Sequence, residues 1–530
     1  MPDPPAAGGM SASPLPDYLA RHATTLADKV AVIDDRPDGT LVRWTFSELN
    51  AQANRLANAL RALGVRRGDK VVWCGQNSPG VVRIVHACRK LGAVAVPLNY
   101  RLVADEAQYV VDDSDAVLAC VDAEQAPLFA AIRAQVPKVR EVLVFGGAPL
   151  AGQRDLEALV AEASTDEPRV VADGTVTAQS MIYTSGTTGK PKGAVRNPPH
   201  PEQQAALLAH IGYGAGDVYL TTGPLYHSGP GGFMAIAHTL GNTVVLQRRF
   251  DAEDWLRLIA RHRVTTTFGA PAPVRMVCSL PAEVRARHDV SSMKRFIANA
   301  APWSFALKQA YLAHFPSDSL FEVYGSTELG VNTVLRPEDQ LRKPGSCGRP
   351  APMVEIRLFD DDGREVTQPH VPGEIAVRSP SVFATYHKAD AKFEADRRGD
   401  FQTVGDVAYL DEEGFIYICD RKKDMIISGG VNVYPAEIEA VLDAHPDVHD
   451  VAVIGVPSDE WGETVHAIVV PRAGAALDEA ALLAWSREHL AGFKLPRSVG
   501  FVDEIPRNAS GKILKKVLRE PFWAGRTSRV

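Results

Sequence analysis

The sequence predicts an α/β and α+β protein: a large N-terminal domain of β-sheets flanked by helices, and a small, mobile C-terminal α+β domain. Three observations carry this expectation. Short apolar runs alternate with amphipathic helical repeats from about residue 45 onward. A charged run, Asp420-Arg421-Lys422-Lys423-Asp424, then interrupts the apolar pattern. A fresh strand, turn and helix follow it. The expected boundaries are a disordered tail over 1–16, rich in Pro, Ala, Gly and Ser, an N-terminal domain over 17–419 and a C-terminal domain over 420–530, hinged near Asp420.

The first helix has a capping-box signature in Thr45 and Glu48. Leu49, Ala53, Leu56, Leu60 and Leu63 recur at helical spacing, and Gly64 can end the helix. Val71 to Cys74 reads as a short buried strand. Pro79 stands at the start of a second helix, with Val81, Ile84, Val85, Cys88 and Leu91 on one face and Gly92 as its stop. Val94 to Val96 is the next strand. This β-α-β order implies a parallel sheet. Val117 to Val121, Glu141 to Phe145, Val218 to Thr221 and Thr243 to Leu246 are further strands. Val407 to Asp411 and Gly414 to Cys419 form a hairpin around Glu412-Glu413-Gly414. Past the charged run come a strand at Met425-Ile426-Ile427, the turn Ser428-Gly429-Gly430, and a helix from Pro435 that buries Ile438, Val441 and Leu442.

A chain of 530 residues is long for one compact domain. With 45% hydrophobic and 23% charged residues it can bury a large core. The formal net charge is −7, which gives no support for a nucleic-acid partner. The six cysteines are scattered without a Cys-x-x-Cys pair, which fits reduced thiols and a cytoplasmic location. No apolar run is long enough to span a bilayer, and the first residues lack the basic-then-apolar layout of a signal peptide.

Residues 183 to 193, Tyr-Thr-Ser-Gly-Thr-Thr-Gly-Lys-Pro-Lys-Gly, carry the most chemistry. Glycines let backbone N–H groups approach a phosphate, hydroxyls add donors, and lysines add positive charge. The run suits a polyphosphate. It is not a Walker A loop, because Gly186 and Gly189 are too close together and Pro191 follows Lys190.

Several further segments occur with it: Ala300-Ala301-Pro302, Tyr324-Gly325-Ser326-Thr327-Glu328, Thr403-Val404-Gly405-Asp406, Asp420-Arg421 and Pro506-Arg507-Asn508-Ala509-Ser510-Gly511-Lys512. In this order they resemble the adenylate-forming superfamily of acyl-CoA synthetases, adenylation domains and luciferases, from about Thr45 to Lys512. The resemblance implies a role for each. Thr184, Ser185, Gly186, Thr187, Thr188, Gly189 and Lys192 would hold the β- and γ-phosphates of ATP. Ala300, Ala301 and Pro302 would line the adenine, and Tyr324 would stack on it beside Gly325. Thr327 would donate to the α-phosphate, and Glu328 would hold Mg²⁺, which prefers hard oxygen ligands. Asp406 would accept from both ribose hydroxyls, with Arg421 reaching the same sugar. The family more often has Thr where Val404 stands. Lys512 would clamp the charge that develops during adenylation. His227, in Pro224-Leu225-Tyr226-His227-Ser228-Gly229, matches an aromatic position lining the carboxylate site.

The implied reaction is acyl-CoA ligation. A carboxylic acid is adenylated with ATP and Mg²⁺, and coenzyme A then takes the acyl group as a thioester, releasing AMP and pyrophosphate. Gly429 and Gly430 would shape a narrow tunnel for pantetheine, and Trp461-Gly462-Glu463 resembles the CoA-ligase version of its segment. Phe493, Lys494 and Arg497 would meet the CoA nucleotide. Leu225, Phe233 and Met234, with Phe268 and Trp303 as further lining residues, point to an apolar acid, with a medium- or long-chain fatty acid first and an aromatic or steroid-type acid second. The rival readings are a stand-alone enzyme that loads a carrier protein and a catalytically dead binding protein. The expected partners are the acid, ATP and CoA, with no transmembrane segment; a homodimer is compatible with the reading.

Overall fold

The structure is a computed structural model, and it describes residues 17–168, 180–184, 191–299, 303–428, 431–458, 460–507 and 513–524. The expected tail over 1–16 lies outside them. Among the described residues the strands form sheets of nine, eight, six and five members.

The period of the strands explains the two largest sheets. In the eight-stranded sheet, Lys70–Cys74, Val94–Leu98, Ala116–Asp122 and Glu141–Phe145 run parallel. Successive side chains of a strand point to opposite faces. Val71, Trp73, Leu118, Cys120, Leu143 and Phe145 therefore enter one core, and Val72, Cys74, Ala119, Val121, Val142 and Val144 enter another. Both faces are dry, so the strands read as unbroken apolar runs. The first core is shared with the nine-stranded sheet. The helices Phe46–Ala62, Pro79–Leu91 and Ser228–Thr239 contribute to this shared core. On its far side the nine-stranded sheet packs Phe296 and Leu220 against Trp255, Leu256 and Tyr311.

The expected helix signals are realised. Thr45 and Glu48 form the reciprocal capping box, and Gly92 ends its helix at φ 65°. The strands at Glu141–Phe145, Val218–Thr221 and Thr243–Leu246 fall where the sequence places them. The hairpin before residue 420 is longer than expected, Phe401–Leu410 against Ile416–Arg421. Asp411 lies in its turn, where one carboxylate oxygen accepts from the Glu413 and Phe415 backbones.

This hairpin belongs to the six-stranded sheet, which is antiparallel throughout. From its strand Gly373–Arg378 the chain crosses, as residues 379–386, to the eight-stranded sheet. There Thr385 and Tyr386 pair with Val195 and Ala194. The five-stranded sheet comprises Ile426–Ser428, Val431–Val433, Val448–Ser458, Gly462–Pro471 and Ser498–Phe501. Its two faces carry separate cores, one with Ile438 and Leu442, the other with Ile505 and Leu518.

The shared central core contains a neutral histidine pair. His86 Nε2 lies 2.9 Å from His238 Nδ1, and His238 Nε2 lies 3.2 Å from the Ala31 carbonyl. A carbonyl only accepts, so His238 donates from Nε2 and receives at Nδ1. Burial pushes the pKa of His238 down to about 4 and that of His86 well below its ordinary value. Both groups gain a proton more readily when unfolded. Their contribution is therefore complete above the ordinary pKa of 6.5 and is lost as pH falls below it, for His238 down to about 4. Between pH 7 and pH 5 the loss from His238 is expected to be about 2 kcal/mol, with a loss of the same sign from His86. Urea unfolding at the two pH values checks it; His86→Gln should shrink the drop, and an unchanged drop would assign it elsewhere.

Candidate nucleotide and acyl-transfer site

The phosphate-loop segment is the connection of a β-hairpin. Ser180–Thr184 and Lys192–Arg196 are antiparallel, with Thr184 opposite Lys192. Ser185, Gly186, Thr187, Thr188 and Gly189 lie outside the described residues. The hairpin is anchored on both sides of its connection: the Tyr183 hydroxyl donates to Asp113 at 2.6 Å, and the Tyr109 hydroxyl donates to the Pro191 carbonyl at 3.2 Å.

Thr184 also joins this hairpin to the second motif. Its hydroxyl donates to Glu328 Oε1 at 2.9 Å. Tyr324, Gly325 and Ser326 end the strand Leu320–Ser326, and the next strand begins at Gly330. The pairing shifts register between Tyr324 and Gly325, where a Cβ on Gly325 would lie 2.1 Å from the Gly330 carbonyl oxygen. Only glycine fits there. The Thr327 hydroxyl meets that of Ser228 at 2.9 Å, at the start of the helix Ser228–Thr239. Glu328 is buried, and the Tyr386 hydroxyl also donates to its Oε1, at 3.3 Å. Burial and the Glu328 carboxylate push the Tyr386 pKa well up, so the phenol keeps its proton.

The predicted ribose site is assembled from three separate sequence motifs. Asp406 lies opposite Arg421 across the hairpin. Its Oδ1 lies 3.3 Å from Arg421 Nε, and its Oδ2 accepts from the Tyr324 hydroxyl at 2.7 Å. Burial, followed by the Asp406 charge, holds the Tyr324 pKa well above its ordinary value. Tyr324, Asp406 and Arg421 are thus one connected group, and Thr184, Thr327 and Glu328 flank it. Ala300, Ala301 and Pro302 lie outside the described residues.

His227 immediately precedes the helix Ser228–Thr239, with its ring 4.3 Å from that of Tyr226. Phe233 stacks on Phe268 at 5.2 Å, and a Cβ on Gly229 would lie 2.3 Å from the Phe268 ring. Leu225, Phe233, Met234 and Phe268 all belong to the central core. Trp303 does not join them: it packs with Phe296 and Tyr311 on the far side of the nine-stranded sheet.

In the C-terminal part Ser428 pairs with Gly462, which brings the two expected CoA segments side by side. Gly429 and Gly430 lie outside the described residues. Around them Ile427, Val431 and Trp461 are exposed. The Lys494 ammonium pairs with Glu437 at 2.5 Å, so its charge is partly neutralised. Asp420 is half-buried, and desolvation raises its pKa to about 6. It accepts from the Ala436 and Arg421 amides and lies 3.5 Å from Lys515, which also pairs with Glu439 at 2.9 Å. Lys512 lies outside the described residues.

Sequence reasoning missed Tyr386 and Arg196. Each contacts the Thr327–Glu328 turn from a distant segment, and neither belongs to a run that carries a local signal.

The sequence profile of the AMP-binding enzyme family matches residues 19–387, and that of the AMP-binding enzyme C-terminal domain matches residues 437–512. The chain belongs to this family of adenylate-forming ligases. It is 37% identical over 511 residues to the long-chain-fatty-acid–CoA ligase FadD13 of Mycobacterium tuberculosis, covering 96% of this chain and 98% of the relative. It is 37% identical over 499 residues to a feruloyl-CoA synthase of Amycolatopsis, covering 92% and 96%. Its fold matches ATP-bound MatB from Rhodopseudomonas palustris with a TM-score of 0.84 at 32% identity, over 96% of this chain and 99% of that one.

Proposed function

We propose that the protein is an AMP-forming acyl-CoA ligase for a hydrophobic carboxylic acid, with a medium- or long-chain fatty acid as the first choice. The observation that carries this is the hydrogen-bonded convergence of the phosphate hairpin, the Tyr324–Glu328 motif and the Asp406–Arg421 hairpin. The buried apolar residues Leu225, Phe233, Met234 and Phe268 beside His227 and Ser228 support an apolar acid. The feruloyl-CoA synthase relative keeps an aromatic acid as the second choice.

In the first half-reaction an oxygen of the acid's carboxylate attacks the ATP α-phosphorus and pyrophosphate leaves with the broken P–O bond. Catalysis is by positioning and electrostatics. Thr184 and Lys192 hold the outer phosphates with the loop between them, Thr327 donates to the α-phosphate, and Asp406 with Arg421 fixes the ribose. Lys512 balances the developing charge. In the second half-reaction the CoA sulfur attacks the acyl carbon, AMP leaves, and the thiol proton passes to solvent. We assign residues 420–530 to a domain that turns about Asp420 between the steps, bringing Gly429, Gly430 and Trp461 to the pantetheine. The charged break between the strands Ile416–Arg421 and Ile426–Ser428 supports that boundary.

Glu328 has the chemistry to hold Mg²⁺. Both described donors fall on its Oε1, and among the described residues none bonds Oε2. Among those residues no three or more His, Cys, Asp or Glu side chains form a metal cage. Glu328 and the phosphates themselves would therefore hold the ion, which neutralises phosphate charge when bound. Tyr386→Phe removes one of the two donors to Glu328. Adenylation is expected to slow about fivefold, with a raised Mg²⁺ requirement, in a pyrophosphate-exchange assay. An unchanged Mg²⁺ profile would show that Thr184 alone suffices.

No helix among the described residues is long and apolar enough to cross a membrane. The reading extends to a cytoplasmic enzyme, and a homodimer is compatible with it. The test is a panel of carboxylic acids with ATP, Mg²⁺ and CoA. AMP, pyrophosphate and an acyl thioester are expected. ADP with orthophosphate, or no nucleotide use with any acid, would overturn the proposal. Transfer to a carrier protein but not to CoA would move the enzyme to the carrier-loading class.

A further inference from the structure

We infer that Arg196 is a positioning residue for adenylation, holding the turn that bears Thr327 and Glu328 through the Thr327 carbonyl; the inference rests on the ligase reading above. Side chains two residues apart on a strand share a face. Lys192, Ala194 and Arg196 therefore lie on one side of the strand Lys192–Arg196. The small Ala194 lets Phe383 and Tyr386 pack between the two cations, with their rings 4.7 Å apart. The Lys192 ammonium lies 6.0 Å from the Tyr386 ring.

At the other end of this face the Arg196 guanidinium donates from Nη1 to the Thr327 carbonyl and from Nη2 to the Ser381 carbonyl, the latter at 3.3 Å. Among the described residues no carboxylate lies within ion-pair distance of it. Burial lowers its pKa, opposed by the nearby Glu328 charge. A largely desolvated arginine held by carbonyls is expensive for a fold to keep. Its fork reaches both carbonyls at once, which a lysine's single ammonium on a flexible stem cannot reproduce.

The second carbonyl explains why the turn needs a clamp. Residues 379–386 wrap the Thr327–Glu328 turn from outside. Phe383 N–H donates to the Glu328 carbonyl at 2.8 Å, and a Cβ on Gly330 would lie 2.8 Å from Ser381 Cβ. Ser381 is itself held, with its amide on Ser379 Oγ at 3.1 Å and its hydroxyl on Gln203. Gln203 donates to Ser379 Oγ at 2.8 Å from the helix Pro201–His210. Arg196 thus ties the motif turn to a braced segment. The hydroxyl of Thr327 and the carboxylate of Glu328 inherit their positions from that tie. Misplacing such groups by about 1 Å costs on the order of 100-fold in rate.

The experiment uses the full chain with Arg196→Gln and Arg196→Lys. Pyrophosphate exchange is expected to fall about 10- to 100-fold in the Gln variant, with the Mg²⁺ concentration for half-maximal rate shifted upward. The Lys variant should fall in the same direction but less. Thioester formation from supplied acyl-AMP should stay within about twofold, because it no longer needs the outer phosphates. Should the Gln variant fail to fold, the Lys variant, which keeps charge and similar bulk, is read alone. Unchanged exchange and Mg²⁺ dependence would overturn the inference. So would equal loss in both half-reactions in step with a lowered melting temperature, which marks a purely structural residue. Wild-type protein that exchanges pyrophosphate with no acid would be a separate failure, that of the ligase reading, and would take this inference with it.

Discussion

Replacing Lys512 with alanine is expected to lower acyl-AMP formation by a factor on the order of 100 to 1,000, while thioester formation from supplied acyl-AMP keeps nearly its full rate. The framework around residues 508–512 explains why the effect should fall on chemistry and not on folding. Arg507 pairs with both oxygens of Asp450 at 2.7 Å, bridges Ile513 across the loop, and is followed by a Leu514 to Pro506 backbone bond of 2.8 Å. Three residues beyond Lys512, Lys515 is tied to Asp420 and Glu439, and Arg519 is tied to Asp424 at 2.6 Å. These contacts are made by residues on either side of 508–512, so they remain available in the Lys512 variant. Pyrophosphate exchange measures the first half-reaction, and CoA consumption with acyl-AMP measures the second. Equal losses in both would refute the division of labour.

Gly325→Ala should be the most damaging single-methyl change at the site. The added carbon would overlap the Gly330 carbonyl, 2.1 Å to its oxygen and 3.0 Å to its carbon. Both atoms are backbone in a paired strand, so neither can rotate away as a side chain would. The strands must part, and stability should drop by about 3 kcal/mol. Tyr324 on one side and Thr327 on the other would shift together, breaking the 2.7 Å bond to Asp406 and weakening nucleotide affinity. Urea unfolding and calorimetric titration with ATP check both effects. Gly232→Ala is the control for stability: nothing lies within 4 Å of its added carbon, and it sits in a helix where alanine is favoured. Wild-type stability and affinity in the Gly325 variant would show that the bulge is far softer than its geometry implies.

Much of the fold was legible because burial on both faces writes itself into a strand. In Glu141–Phe145 the residues from Val142 onward feed two cores alternately, so the run after Glu141 is apolar throughout. Helix ends at Gly64 and Gly92 were readable because each takes a positive φ, 84° and 65°, that glycine adopts freely. The antiparallel six-stranded sheet was harder. Glu355–Phe359 has no fully buried run, and Thr385–Tyr386 is a strand only because Val195 and Ala194 lie alongside it. The site shows the same division. Tyr324, Asp406 and Arg421 announce themselves through their neighbours in sequence, whereas Tyr386 meets Glu328 across 58 residues and Arg196 meets Thr327 and Ser381 across 131 and 185, so their contacts exist only once those segments have met. Trp303 illustrates the converse error: large and apolar, it went to the ordinary core, the default for such a residue.

The crossing of residues 379–386 between two sheets has a kinetic consequence. Its braces come from the helix Pro201–His210, the Lys192–Arg196 strand and the Glu328 turn, so it can settle only after the surrounding layers have docked. Such long-range closures are the late events of folding. On dilution from denaturant, far-ultraviolet ellipticity should therefore recover first, and the capacity to exchange pyrophosphate should return in a slower phase, which bound nucleotide would shorten by capturing the closed arrangement as it forms.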